Sequence, residues 1–447
     1  MNAPLTPSMS RLAALLSRRP SAMALGLFIL SFLMALPFSA GLWPNYILQP
    51  THKFDLDIYL TIARNGYHLP SSPAFYPLWP MGLSWFGGLS DKSFTLLANG
   101  LSFCCFALCL PLFWNLVKYI TDDTIATWST LLFALNPNSI FHALGYPESL
   151  FSLLSVLFLW ASVQYLDSGS VKSLAVMTVC GALMSATRPV LTQLAAAGLW
   201  TIVLHVWFRP SDATSASLSA SLSASMSARL SAGMPSPMNT TKGLVRALRN
   251  KQSIWYLAVL SSAVAGYVPF GVFCKMTFGN FWQPFTAQSY WNRSFGLHWS
   301  LFTAPQSVGG SDNILTWDLL AFYGPAILLL ILLRQMKSRR IHPLTRHSHQ
   351  DQQAYAATRS FIGLFCLSFA AAHSGIAFIS YPIFMSLGRH VFATPFVFVG
   401  LAVVISAISL NAPSRQKIYR YALAAIIISM LYLIHFWTRF GRSAWLG

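Results

Sequence analysis

Apolar runs of about twenty residues recur along almost the whole 447-residue chain. Nothing else constrains the fold as strongly. A run of that length crosses the hydrocarbon core of a bilayer as one helix, and helices satisfy their backbone polar groups internally where no water can. Eleven runs qualify, at about 22–42, 94–118, 124–143, 148–166, 171–187, 190–207, 254–278, 314–333, 359–379, 391–410 and 421–438. Composition agrees, with 55% hydrophobic and 9% charged residues against roughly a quarter charged in soluble domains. The expectation is an all-α polytopic membrane protein with a single membrane domain over 1–447. The fifth and sixth runs are short and divided only by Thr187-Arg188-Pro189, which admits two helices or one long kinked helix.

Lys and Arg set the orientation, because positive charge stays on the cytoplasmic side. With the N-terminus and its Arg11, Arg18 and Arg19 inside, alternation through eleven spans puts 20 of the 29 basic residues inside and nine outside. The net charge of +18 then reads as anchoring to anionic lipid headgroups rather than as a nucleic-acid surface. All six cysteines fall inside apolar runs, as small apolar residues rather than a disulfide framework, and no Cys/His spacing suits zinc. The first run is longer than a signal-peptide core and lacks a convincing cleavage site, so it reads as retained. Residues 211–237, which contain SASLSASLSASMSARLSAG, are too poor in apolar residues to fold alone and read as a disordered cytoplasmic insert.

The outside segments carry the remaining information. The first, 43–93, is long for a plain connection and contains FDLDIYLTIARNGY (Phe54–Tyr67) and AFYPLWP (Ala74–Pro80). Tyr59, Leu60, Ile62 and Ala63 give 56–65 an apolar stripe ended by Arg64, Asn65 and Gly66, which predicts a short interfacial helix. Trp43, Tyr76, Trp79 and Trp85 would supply its aromatic belt. Later come HALGYPES with Glu148, ATRP with Arg188, the aromatic loop GNFWQPFTAQSYWNRSFGLHWS, and Ser386-Leu387-Gly388-Arg389-His390. Asn292-Arg293-Ser294 is a glycosylation sequon. The basic inside loop 334–358 reads as a solvated anchor.

Asp55, Asp57, Glu148, Arg188, Gln288, Arg293, Arg389 and His390 thus fall at the outer ends of different spans. Ionisable groups at membrane depth are costly and point to function. A carboxylate can take a proton from an attacking hydroxyl, and guanidinium groups can hold a phosphate leaving group, so the set suits sugar transfer from a lipid phosphate. Each member also has a plainer role. Asp55 could cap the helix starting at Leu56, Asp57 could complement its dipole, and Glu148 could cap the fourth span, the role favoured for it. Arg188 and Arg389 could be snorkelling anchors, and His390 could donate to a carbonyl. Metal is not required by a set with arginines and no compact carboxylate cluster.

These motifs resemble a known family. FDLDIYLTIARNGY followed by AFYPLWP is similar to the WD…Y/F…IA..GY…F.PL.P signature of the GPI mannosyltransferase II (PIG-V) family, part of the GT-C superfamily of polytopic glycosyltransferases. NPNSIFHALGYPESLFSLLSVL, ATRPVL, FTAQSYWNRS and SLGRHVFATP resemble its later segments in order and spacing. Phe54 stands where the family has Trp, Pro189 where it has Ser, and His390 where it has Tyr; the Ser/Ala-rich insert has no counterpart. The resemblance implies a GT-C-like fold and inverting transfer of mannose from dolichyl- or polyprenyl-phosphate mannose to a lipid-linked glycan, the second mannose of a GPI precursor in a eukaryote. It makes Asp55 the base and Asp57 its support or an acceptor contact. Arg188, Arg293 and Arg389 surround the donor phosphate with His390, Gln288 and Trp291 contact sugar, and Tyr146 and Glu148 line the site. No cofactor is implied. The partners are the lipid-linked donor, a glycolipid acceptor and room for a small membrane subunit. The membrane is the endoplasmic reticulum in a eukaryote or the plasma membrane in a bacterium, with the site lumenal or periplasmic. The alternatives are another polyprenyl-phosphate-sugar transferase, acting on a bacterial glycolipid, wall glycan or protein, and a lipid-linked sugar flippase.

Overall fold

The structure, a computed structural model, describes residues 19–48, 55–208, 250–291, 293–308, 312–337, 349–408, 412–444 and 446. Arg11, Arg18, Lys53, Phe54, the insert 211–237, Asn292 of the sequon and 338–348 of the basic loop lie outside them. Every element among the described residues is helical apart from one isolated parallel bridge, Ser307 to Phe384. In chain order the α-helices of six or more residues are α1 (Pro20–Ala35), α2 (Asp55–Asn65), α3 (Leu78–Ser84), α4 (Asp91–Ile120), α5 (Asp123–Leu135), α6 (Glu148–Ser168) and α7 (Val171–Thr187). There follow α8 (Leu191–Phe208), α9 (Lys251–Phe278), α10 (Asp312–Lys337), α11 (His349–Ser380), α12 (Leu387–Phe392), α13 (Phe396–Ile408) and α14 (Ala412–Gly441).

Among the described residues, eight helical segments are long and apolar enough to cross a membrane, those of α1, α4, α6, α8, α9, α10, α11 and α14. The chain is therefore a multi-pass membrane protein. The expected count of eleven is not met by length. The other three runs form α5, α7 and α13, of 13, 17 and 13 residues, where about 20 are needed to span. Proline sets the ends of these helices, because it pushes the preceding residue out of the helical region, although α7 fills the whole expected run 171–187. Asn136 before Pro137 sits at φ −67°, ψ 151° and ends α5. Arg188 before Pro189 sits at φ −147°, ψ 155°, so the fifth and sixth runs are two helices rather than one bent one. Likewise α13 starts just past Pro395, and the beginning of that run belongs to α12.

Small residues let the helices approach closely, as expected where lipid gives no hydrophobic drive to association. α7 packs most extensively on α9; a Cβ added at Gly266 would lie 2.1 Å from the Ala182 carbonyl oxygen, and one at Gly181 2.4 Å from the Ser262 hydroxyl. Buried hydroxyls bond their own helix, for example Thr130 to the Ala126 carbonyl at 2.7 Å and Ser162 to that of Phe158 at 2.8 Å, which satisfies them without a partner helix.

The predicted helix at 56–65 is present as α2, but its stripe is core rather than lipid-facing. Leu56, Tyr59, Leu60, Ile62 and Ala63 are all buried against the protein. Of the expected aromatic belt, Trp43 and Trp85 are exposed, whereas Tyr76 and Trp79 are buried; the Trp79 indole donates to the Gly145 carbonyl at 2.8 Å. Arg64 clamps the far end of α2, bonding Asp91 at 2.5 Å and the Gly87 carbonyl at 2.9 Å. α2 is thereby held at its far end, with Asp55 and Asp57 in its first turn.

Candidate active site

Five separate chain segments bring their polar residues to one cavity of about 390 Å³. Its walls include Asp55 and Asp57 from the start of α2, Glu148 from the start of α6, Arg188 just past α7, Gln288, Trp291 and Arg293 from the loop after α9, and Arg389 and His390 from α12. Nine of the ten candidate residues meet there. Tyr146 does not line the cavity; it lies behind Arg389, its ring centroid 4.6 Å from the guanidinium carbon.

Arg389 is the centre. Its Nη1 donates to Asp55 Oδ2 at 2.6 Å and its Nε to Glu148 Oε1 at 2.5 Å, while the rings of Phe141 and Tyr146 flank it at 4.7 and 4.6 Å. Each ring adds cation–π attraction in a site shielded from water. Burial alone would lower its pKa, but Glu148 and Asp55 outweigh that and raise it, so the cation persists. Glu148 is fully buried and also has Arg188 Nη1 at 3.6 Å from the same Oε1. The expectation that Glu148 acts as a helix cap holds only in part: it stands in the first turn of α6, but its carboxylate serves two arginines from distant segments. Its Oε2 has no hydrogen-bond partner among the described residues.

The extended conformation at Arg188 carries its side chain away from the axis of α7. The guanidinium lies over Phe151, 5.5 Å from the ring centroid, and its Nη2 donates to His390 Nδ1. His390 is therefore held neutral as an acceptor: burial and the neighbouring Arg188 and Arg293 push its pKa well below the ordinary imidazole value. Its ring packs beside that of His373, 6.2 Å away.

The opposite wall is aromatic. Trp291 meets Phe75 at 5.4 Å and Phe75 meets Tyr59 at 5.2 Å, with Tyr76 beside them. Among the described residues the Trp291 indole and the Tyr76 hydroxyl have no hydrogen-bond partner, and unsatisfied buried polar groups call for an account. Arg293 stacks on Tyr381 at 4.5 Å and has no ion pair among the described residues; its Nε is also unpartnered. Gln288 donates to the Pro284 carbonyl at 3.2 Å. Among the described residues no three His, Cys, Asp or Glu side chains gather as a metal site would need.

Some of the site was missed in the sequence. Tyr59, Phe75 and Tyr76 lie in motifs already quoted, where Tyr59 reads as stripe, Tyr76 as belt and Phe75 has no role. Asp318 is further from view: it sits inside a run taken as wholly apolar, yet its carboxylate bonds the Gly388 amide at 2.7 Å and the Ser307 hydroxyl at 2.8 Å. A lone acid in a membrane-length run was the available signal.

Chemically, the cavity pairs carboxylates that can accept a proton with guanidinium groups that can hold an anion, and sets them against an aromatic wall suited to a sugar face. Known proteins bear on that reading. Residues 23–198 match the family model Mannosyltransferase (PIG-V), which agrees with the resemblance seen in the motifs. That stretch contains Asp55, Asp57, Tyr146, Glu148 and Arg188; the other half of the cavity comes from beyond it. A GPI mannosyltransferase 2 of Drosophila melanogaster is 30% identical over 113 residues, covering 23% of this chain and 25% of the relative. The chain thus matches about a quarter of that relative's length. Among solved structures, the Archaeoglobus fulgidus oligosaccharyltransferase tethered to an acceptor peptide is similar at 13% identity and a TM-score of 0.47, over 95% of this chain and 56% of that one. Its apo form is similar at 12% identity and 0.45, over 93% and 56%.

Proposed function

We propose that this protein is a membrane glycosyltransferase, acting as one catalytic unit, that moves mannose from a dolichyl- or polyprenyl-phosphate carrier to a lipid-linked glycan. The observation that carries the reading is the convergence of Asp55, Glu148, Arg188, Arg293 and Arg389 on one cavity with an aromatic wall. The matching PIG-V stretch supports mannose as the sugar and a GPI precursor as the acceptor class. In this reading the acceptor hydroxyl oxygen attacks the anomeric carbon from the face opposite the phosphate. A new C–O bond forms, the old C–O bond to phosphate breaks, the proton passes to Asp55, and the lipid phosphate leaves. Configuration inverts.

The three arginines divide the work. Arg188 and Arg389 are already engaged by Glu148 and Asp55, which leaves Arg293 as the cation best able to receive the donor phosphate. As the phosphate nears Arg389 it competes with Asp55 for the same guanidinium and frees the carboxylate for the acceptor. Asp57 steadies the first turn of α2, and Trp291 and Gln288 contact sugar. The site would face the lumen of the endoplasmic reticulum, or the periplasm in a bacterial host.

The test is reconstitution in vesicles with dolichyl-phosphate mannose and candidate glycolipid acceptors, read by mass analysis of the product. Asp55→Asn should lower kcat by about 10² to 10⁴, the usual share of a general base, while the protein still accumulates in the membrane. Full activity in that variant would remove the base assignment. Movement of labelled lipid across the bilayer without a new glycosidic bond would assign a flippase instead.

A further inference from the structure

The cavity's central cation rides on α12, a helix of only six residues, Leu387–Phe392, preceded by an unusual turn. Ser386 is left-handed at φ 58°, ψ 25°, a conformation that a residue with a side chain adopts at a cost and keeps only when its surroundings impose it. Such a short helix cannot hold itself in place. Something outside it must fix where Arg389 and His390 point.

We propose that Asp318 is the positioning residue for Arg389 and His390. It is almost fully buried within the membrane-length segment Ile314–Lys337, where a carboxylate is expensive to keep. Its Oδ1 accepts from the Gly388 amide at 2.7 Å, one residue before Arg389. Its Oδ2 accepts from the Ser307 hydroxyl at 2.8 Å. One side chain therefore ties α10 to two strips of backbone that are already bridged to each other: the Phe384 amide donates to the Gln306 carbonyl at 2.8 Å and the Val308 amide to the Phe384 carbonyl at 2.9 Å. Val308 and Ser386 both line the cavity. Beside Gly388 there is no slack, since an added Cβ would lie 3.3 to 3.4 Å from Asn138 and Asp318 atoms. Next to Asp318 on α10, Trp317 meets Phe392 at the other end of α12, ring centroids 5.6 Å apart. Asp318 touches neither Asp55 nor Glu148 in any ion pair or hydrogen bond among the described residues. It acts through the turn.

This inference rests on the cavity being the site of sugar transfer, so its test needs a readout that does not depend on activity. Full-length protein would be purified as wild type, Asp318→Asn, Asp318→Leu and Ser307→Ala. Amide hydrogen exchange would be followed over 384–392, and transfer measured in parallel. An asparagine can still accept from Gly388 and donate to Ser307; leucine can do neither. Asp318→Leu should speed exchange over 384–392 by about tenfold, the loss of roughly one charge-assisted hydrogen bond, and lower kcat by about 10², as a misplaced catalytic group does. Asp318→Asn should restore both to within about threefold, since its amide keeps the two bonds in neutral form. Ser307→Ala, the milder change should Asp318→Leu not accumulate, should speed exchange to a smaller degree. Unchanged exchange in Asp318→Leu and Ser307→Ala, or Asp318→Asn as damaged as Asp318→Leu, would overturn the proposal. A wild type that transfers no lipid-linked sugar would instead refute the proposed function, and the exchange data would still decide whether Asp318 holds the turn.

Discussion

At the scale of single residues, the three arginines of the cavity differ by what they already hold. Arg389 bridges two carboxylates and is packed between two rings, whereas Arg293 is the cavity cation without an ion pair among the described residues. A planar fork can bond two partners at once in a way a lysine cannot. Arg389→Lys should therefore lose one of its two bridges and reduce kcat by about 10² with little change in donor KM, because it disturbs the catalytic carboxylates. Arg293→Ala should raise donor KM about tenfold or more, the worth of one charge-assisted bond to phosphate, and leave kcat less affected. Steady-state kinetics with varied donor concentration decide the matter. Equal effects of both variants on KM alone would refute the division of labour. The pattern of acids and arginines was readable from the chain as a set of outer-rim charges, but their pairing was not. Nothing local links Glu148 to Arg389, 241 positions away.

At the scale of elements, most of the helices were legible because membrane-length apolar runs have few other solutions. The misreadings lie at the run 391–410, which is divided between α12 and α13, and at one amphipathic stripe. Pro137 ends α5 inside its run, as Asn136-Pro137 predicts, Pro189 parts α7 from α8, and Pro395 parts α12 from α13; each break falls beside the cavity: Asn138 behind α12, Arg188 in the wall, and α12 itself. Helix breaks at these places are what free side chains to turn inward. The stripe of α2 was read as lipid-facing because periodicity shows that a face is apolar without showing what covers it. Its cover includes the turn before α6, where Gly145 has φ +73° and a Cβ would lie 3.0 Å from Leu56, Ala98 and Asn99 atoms. Gly145→Ala should therefore cost about 1–2 kcal/mol from backbone conformation alone. A thermal midpoint lower by a few degrees, with transfer reduced as α2 shifts Asp55, is expected by scanning calorimetry and by the vesicle assay. A variant as stable and active as wild type would show that the turn has room the contacts deny.

At the scale of the whole molecule, the proposed function puts the cavity on the lumenal or periplasmic side, the side that the asymmetry of basic residues predicts for it. Lys172 stands at the start of α7 and Arg188 just past its end. With the six native cysteines replaced, a cysteine at Tyr290, which is well exposed beside the cavity, should react with a membrane-impermeant maleimide from the lumenal or periplasmic side. A cysteine at Lys172 should react only after permeabilisation. Labelling of both from one side would invert the topology. The sequence by itself determined a polytopic helical membrane protein, the direction of its charge, and the residue types at one rim, because hydropathy and positive charge act over lengths that a linear chain displays. Only the tertiary structure decided that Arg389 joins Asp55 to Glu148, that Tyr146 stands behind rather than in the cavity, and that a buried Asp318 steadies the turn carrying them. Those relations depend on packing between segments far apart in the chain, where proline breaks and close helix contacts, rather than local pattern, set each side chain's direction.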